Sequence, residues 1–169
     1  MYEKFGQFID GSWSPSSNKE TYEVINPATE EVLGHASKAT PEDVDRALKS
    51  AEKGLAVWKK TTPWDSSYIL RRIADKLREK KDVLAKWMTL ENGKPLAEGV
   101  GETNGAADIF EWNAEETKRI FGQTIESRFE DTRVHVYYQP VGVVAALSPW
   151  NFPLILAARK ISTALAAGC

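Results

Sequence analysis

Cysteine is almost missing from this chain: Cys169 is the only one in 169 residues. No internal disulfide can form, and no cysteine-based metal site can be assembled. Histidine is nearly as scarce, and His35 and His135 have no partners at ligand spacing, so no metal is expected. No apolar run approaches the about 18 residues needed to cross a bilayer. The first residues, Met1-Tyr2-Glu3-Lys4-Phe5, lack the apolar centre of a signal peptide. A cytoplasmic protein without membrane association is expected. Excess charge is also lacking, with 22 Lys+Arg against 24 Asp+Glu. That balance argues against a nucleic-acid partner, and the Lys80-Lys81 doublet reads as a solvated helix face. There is no Gly-x-Gly-x-x-Gly fingerprint, internal repeat or low-complexity tract.

What is present is enough apolar material for a sizeable core: 42% hydrophobic and 10% aromatic residues, in a length that fits one domain. Residues 5 to 40 carry short apolar runs broken by Asp10-Gly11, Ser14-Pro15-Ser16-Ser17-Asn18 and Asn26-Pro27, a strand-and-turn pattern. Thr40-Pro41-Glu42-Asp43 supplies a cap, a first-turn proline and first-turn acid for a helix. Its stripe of Val44, Leu48, Ala51, Leu55 and Trp58 predicts core packing. A second helix is predicted from about Trp64 to Glu91, with Ile69, Ile73, Leu77, Leu84 and Trp87 or Met88 inward, stopped by Asn92-Gly93. A third spans Pro95 to Phe121, with Leu96, Val100, Ala107, Phe110 and Ala114 near one face. Gly99, Gly101 and Gly105 cost that helix up to about 1 kcal/mol each relative to Ala, which close packing would explain.

Arg133 to Gln139 alternates as a half-buried strand with Val134, Val136 and Tyr138 on one face. Pro140 separates it from the uniformly apolar run 141 to 147, which reads as a second, buried strand in a different sheet. That run leads through Pro149-Trp150-Asn151-Phe152-Pro153 into a helix beginning at Pro153. Open α/β sheets place ligands where a strand's carboxyl end feeds a helix. Prolines at both ends stiffen the segment, and Asn151 is its one side chain able both to donate and to accept strong hydrogen bonds. On residues alone, Asn151 is equally a catalytic donor or a cap of the helix that follows. Trp150 either walls a pocket or packs the loop. Cys169 follows Ala166-Ala167-Gly168 with no nearby His, and reads as a packing residue rather than a nucleophile.

Leu147 to Pro153, Ala157-Ala158-Arg159-Lys160 and Ala164 to Cys169 closely resemble the aldehyde dehydrogenase superfamily. Upstream, Phe8-Ile9-Asp10-Gly11 with Trp13 and Val24-Ile25-Asn26-Pro27-Ala28-Thr29 resemble its amino-terminal entry. Glu91-Asn92-Gly93-Lys94-Pro95-Leu96 resembles its central helical segment, and Glu111-Trp112-Asn113-Ala114-Glu115-Glu116 leans to the succinate-semialdehyde branch. Only the Pro149 to Pro153 element is specific by itself; the others gain weight from their order.

The resemblance implies an α/β fold: the amino-terminal part of the family's Rossmann-like cofactor domain plus an oligomerisation strand. It divides the chain into early strands and helices at 1–132, the assembly strand at 133–140 and the first βα unit of the cofactor domain at 141–169. It implies NAD or NADP as cofactor, contacted by Ser148, Pro149, Trp150 and Asn151, with Asn151 also holding the oxyanion. A small-molecule aldehyde would be the substrate and a homo-oligomer the assembly. Members acting on succinate semialdehyde resemble this chain in carrying Arg at position 159, where the guanidinium pairs with the substrate's distal carboxylate. A surface Arg in a salt bridge is the bland alternative. The family's nucleophilic Cys, general-base Glu and glycine-containing cofactor turn match nothing in these residues. The printed residues alone are therefore expected to be inactive, and a non-catalytic interaction module pairing through 133–139 is the rival. The coding sequence beyond Cys169 discriminates the two.

Overall fold

The structure, a computed structural model, describes residues 6–169; the Met1 to Phe5 segment lies outside the described residues. Two small hairpins come first. Strands β1 (Gln7–Ile9) and β2 (Ser12–Ser14) pair antiparallel across Asp10-Gly11, both at positive φ (53° and 76°), the backbone that a two-residue hairpin turn requires. Strands β3 (Thr21–Ile25) and β4 (Val32–Ser37) form the second hairpin, with a register shift at Val24/Ile25.

Helix α1 (Pro41–Trp58) starts with the anticipated capping box: Thr40 Oγ1 accepts from Asp43 N, and the Asp43 carboxylate accepts from Thr40 N at 3.0 Å. The same buried carboxylate accepts from Ser17 N at 3.1 Å and from the Gln7 carboxamide at 3.4 Å, tying both the β1 strand and the 14–18 loop to the helix start. The Thr40 backbone N–H stabilises the anion most. With help from Ser17, the Thr40 hydroxyl and Gln7, it outweighs the opposing effect of burial and holds the pKa down at about 2. A depressed carboxylate pKa contributes stability that is present above the unfolded value and lost as pH falls through the folded one. Wild-type Tm is therefore expected to drop between about pH 4 and pH 2. Asp43→Asn should be less stable at neutral pH and lose less across that acid window, Glu79, held down by Lys76, still contributing. Parallel Tm–pH profiles for the two proteins would rule out Asp43 as the linked group.

The core is built from helices α2 (Pro63–Glu79), α4 (Leu96–Glu116) and α5 (Pro153–Ala166), with α3 (Lys81–Asn92) packed on α4. Alanines dominate the contacts: Ala74, Ala106, Ala107, Ala114, Ala158 and Ala166 are buried around Leu70 and Phe110. Small side chains let the helix backbones approach closely. A Cβ on Gly99 would lie 3.0 Å from the Ala85 backbone, and one on Gly105 would lie 3.0 Å from Ile155 Cδ1; close packing accounts for these two glycines, while Gly101 faces open space. Across the outer faces of α2 and α4, Arg78 pairs with Asp108 (2.8 Å) and Glu111 (2.6 Å), and Arg71 pairs with Glu115. Being solvent-accessible, such pairs contribute at most about 1 kcal/mol each. After α4 a 3-10 turn (Thr117–Arg119) leads to β5 (Gln123–Glu126), paired antiparallel with β6 (Arg133–Val136).

Helices and strands are mixed, as the α/β reading expects, but five local readings are corrected. The helix predicted from Trp64 to Glu91 is two helices, divided at Lys80 (φ −99°, ψ 10°). The helix predicted to reach Phe121 ends at Glu116, and Leu96 is exposed. The 133–139 strand is only four residues long, is partnered by the unforeseen β5, and leaves Val134 and Tyr138 exposed. Most consequential, 141–147 pairs with no strand among the described residues, and Val141 (90% exposed) and Leu147 (82%) are open. The α1 stripe shares this fate. Only Leu55 and Trp58 are half-buried, Trp58 Nε1 donating to Leu165 O at 2.9 Å, whereas Val44, Leu48 and Ala51 are exposed.

Candidate functional site

Gly93 adopts the left-handed conformation (φ 75°) that ends α3, and the chain then turns Lys94 inward just ahead of α4. Lys94 is 7% exposed and Glu102, two turns into α4, is 5% exposed. Their side chains form a buried ion pair, Lys94 Nζ to Glu102 Oε2. Such a pair persists only when its remaining hydrogen-bonding capacity is used. Here it is used on the 151–155 segment. Lys94 Nζ also donates to Asn151 O at 3.1 Å and stands 3.9 Å from the centre of the Phe152 ring. Glu102 Oε1 accepts from Leu154 N at 2.9 Å and Ile155 N at 3.1 Å. Asn92 at the end of α3 donates from Nδ2 to Trp150 O at 3.0 Å.

Glu102 therefore does the work of a cap from another helix. The first N–H groups of α5 have no partners within the helix, and an anion is favoured at that positive end. Phe152, the residue at the cap position, offers no side-chain hydrogen bond, so Asn151 is not the cap of α5. Its peptide carbonyl is held from behind by Lys94, and its side chain is exposed.

Ser148, Pro149 and Trp150 are exposed beside it, Trp150 by 77%. Trp150 borders a shallow cavity with Leu84, Trp87 and Met88 of α3, so one side of it faces protein while most of it faces solvent. The backbone of 148–151 belongs to no strand or helix. Arg159 is exposed on α5, and none of the carboxylates among the described residues forms a salt bridge with it. Cys169 is half-buried at the edge of an apolar groove whose walls include Leu55, Trp58, Val143, Val144 and Ile161. Among the described residues no group of three or more His, Cys, Asp or Glu is placed to hold a metal, and no helix is long and apolar enough to cross a membrane.

Asn92, Lys94 and Glu102 were missed as site residues by sequence reasoning. One signal was available: Glu102 lies on the same helical face as Gly99, Thr103, Ala106 and Phe110, and a carboxylate in an apolar stripe is rarely idle. Its partner, eight residues upstream and before the helix begins, has no periodic relation to it.

The sequence profile of the aldehyde dehydrogenase family matches residues 13–169. Glutarate-semialdehyde dehydrogenase of Pseudomonas aeruginosa is 45% identical over 162 residues, covering 96% of this chain and 34% of that protein. NADP-dependent succinate-semialdehyde dehydrogenase of Escherichia coli is 44% identical over 161 residues, covering 95% and 33%. Among solved structures, betaine aldehyde dehydrogenase of Staphylococcus aureus in complex with NAD+ superposes with a TM-score of 0.94 at 37% identity, covering 98% of this chain and 34% of that one. The chain thus spans about a third of the length of the relatives it matches.

Proposed function

The chain belongs to the aldehyde dehydrogenase family, and from that premise we propose that it supplies the amino-terminal part of an NAD(P)-dependent enzyme that oxidises an acid semialdehyde, such as succinate or glutarate semialdehyde, to the carboxylate. The observation that carries this reading is the capping of α5 by Glu102, which leaves the Asn151 carboxamide exposed and unused by the helix. Attack of a thiolate on an aldehyde produces a tetrahedral alkoxide. A neutral amide donor stabilises that oxygen without exchanging a proton with it.

No thiolate or base for this attack is assigned within residues 1–169. The nicotinamide cofactor supplies hydride acceptance when bound. Residues 148–151 fit it: their backbone is free of sheet and helix pairing, their side chains are exposed, and the carbonyls of Trp150 and Asn151 are anchored on the far side by Asn92 and Lys94. Ser148, Pro149, Trp150 and Asn151 would line the dinucleotide, and Asn151 would reach the reacting carbonyl oxygen. In this reading 141–147 becomes a strand of the cofactor domain and covers, with its neighbours, the apolar groove against α1. The β6 edge, with Tyr137 and Tyr138 exposed after it, would serve assembly into a homo-oligomer.

Reduced nicotinamide formation from succinate or glutarate semialdehyde, with dicarboxylate as the co-product, tests the proposal. Absence of turnover by the folded enzyme on any aldehyde would leave the chain as an assembly module. Sedimentation as a monomer would remove the role given to β6.

A further inference from the structure

The buried Lys94–Glu102 pair performs two tasks on one short segment: its anion holds the first amides of α5, and its cation holds the carbonyl immediately before the cap residue. We propose that Lys94 and Glu102, with Asn92, are positioning residues for the reaction: they fix the 150–152 peptides so that the Asn151 carboxamide is preset toward the reacting carbonyl. This rests on the oxyanion role of Asn151 proposed above.

The reasoning is geometric. A side chain with free rotation about its Cα–Cβ bond is preorganised only if its backbone is fixed, and Asn151 is exposed, so its own side chain gains no order from packing. Its backbone is fixed from three directions instead. Asn92 takes the carbonyl before it, Lys94 takes its own carbonyl, and Glu102 takes the amides of Leu154 and Ile155. The Phe152 ring packs on the same ammonium at 3.9 Å. The three holding groups come from the end of α3, the α3–α4 connection and α4, and α4 packs into the alanine-lined core. The Asn151 carboxamide is thereby referred to the packed helical core. Displacing a catalytic group by about 1 Å can lower a rate about a hundredfold, so a clamp of this kind belongs to the chemistry even though none of it touches substrate.

Glu102→Gln or Lys94→Met alone leaves an unpaired charge in the interior and is expected to fold poorly. The informative variant is the pair Lys94→Met/Glu102→Gln. Glutamine retains an acceptor oxygen for Leu154 and Ile155, methionine fills the stem volume, and what is lost is the ammonium's hold on Asn151 O and the Phe152 ring. In the complete enzyme kcat is expected to fall about tenfold, with cofactor Kd within about twofold. In an Asn151→Ala background the same pair should change kcat less than about twofold, because there is no carboxamide left to misplace. Asn92→Ala, which leaves no buried charge, is the second variant and carries the test if the pair does not fold. It should lower kcat about threefold in the wild type and leave it unchanged beside Asn151→Ala. A purely structural role would lower kcat equally in both backgrounds, and that result, or an undiminished kcat, overturns the proposal.

One spectroscopic readout separates the clamp from the chemistry. Asn151-Phe152 is the only Asn-Phe step among residues 1–169. Labelling Asn carbonyl carbon and Phe nitrogen isolates that peptide within these residues, and its carbonyl shift should move in the Lys94→Met/Glu102→Gln variant. A shift that stays put overturns the clamp alone. Asn151→Ala with wild-type kcat overturns the catalytic reading of Asn151 and leaves the clamp as a structural contact.

Discussion

Asn151→Ala in the complete enzyme is expected to lower kcat by about 10²–10³, while cofactor affinity and Tm change little. The size follows from the chemistry. The alkoxide exists only after attack, so a donor aimed at it stabilises the transition state far more than the bound aldehyde, and the loss appears in kcat rather than in KM. Stability should be spared because Asn151 is not what caps α5. Glu102 accepts from Leu154 and Ile155, so the about 1 kcal/mol that a true cap contributes remains when Asn151 is truncated. The rival outcome has the opposite signature: an unchanged kcat with a lowered Tm would make Asn151 a structural residue and remove the oxyanion assignment. Asn151→Asp sharpens the comparison. It keeps the size but places a carboxylate where negative charge develops, and should be at least as impaired as the alanine variant. Steady-state reduction of the cofactor, cofactor titration and thermal melts on the same preparations provide all three readouts.

Local chemistry was legible wherever a residue's role depends on its immediate neighbours. The Thr40-Pro41-Glu42-Asp43 start, the Asp10-Gly11 turn and the Asn92-Gly93 stop all form as their residue types dictate. The division at Lys80 was not legible, for a physical reason. Leu77 and Leu84 lie seven residues apart, two helical turns, so the apolar stripe crosses the break in phase and carries no mark of it. Neither glycine nor proline punctuates the junction. Tertiary packing of α3 on α4 decides it.

Patterning identified which faces are apolar but not what covers them. The α1 stripe and the 141–147 run were both read as buried, and both line the same open groove, with Ala51, Leu55 and Trp58 on one wall and Val143 and Val144 on the other. The two discrepancies therefore meet at that groove. Burial is a property of a pair of surfaces, and a buried strand in particular needs ladder partners on its edges as well as helices on its faces. The site shows the same division. Pro149 to Pro153 was legible as a candidate because its stiffness and its single amide are encoded in one short stretch. Its support was not, since Lys94 and Glu102 meet it across separations of 57 and 52 residues.

Arg159→Ala tests the substrate class and should separate charged from neutral aldehydes. Arg159 is exposed on the helix that follows Asn151, and no carboxylate among the described residues forms a salt bridge with it, which leaves its planar fork available. Asn151 lies two residues before the start of α5 and Arg159 within that helix, so the proposed contact places both at the same end of the chain's last βα connection. If the guanidinium pairs with the distal carboxylate of succinate or glutarate semialdehyde, its removal forfeits a charge-assisted hydrogen bond worth about 1.5–3 kcal/mol, more than tenfold in kcat/KM. The loss should fall mainly on KM, because the distal carboxylate is bound as firmly before the reaction as during it. A neutral aldehyde of similar length makes no such contact and should be turned over as before. Arg159→Lys should recover only part of the loss, since an ammonium restores the charge without the bidentate geometry. Equal impairment of both substrates would show that Arg159 supports the helix rather than the ligand, and the acid-semialdehyde assignment would then widen to aldehydes in general.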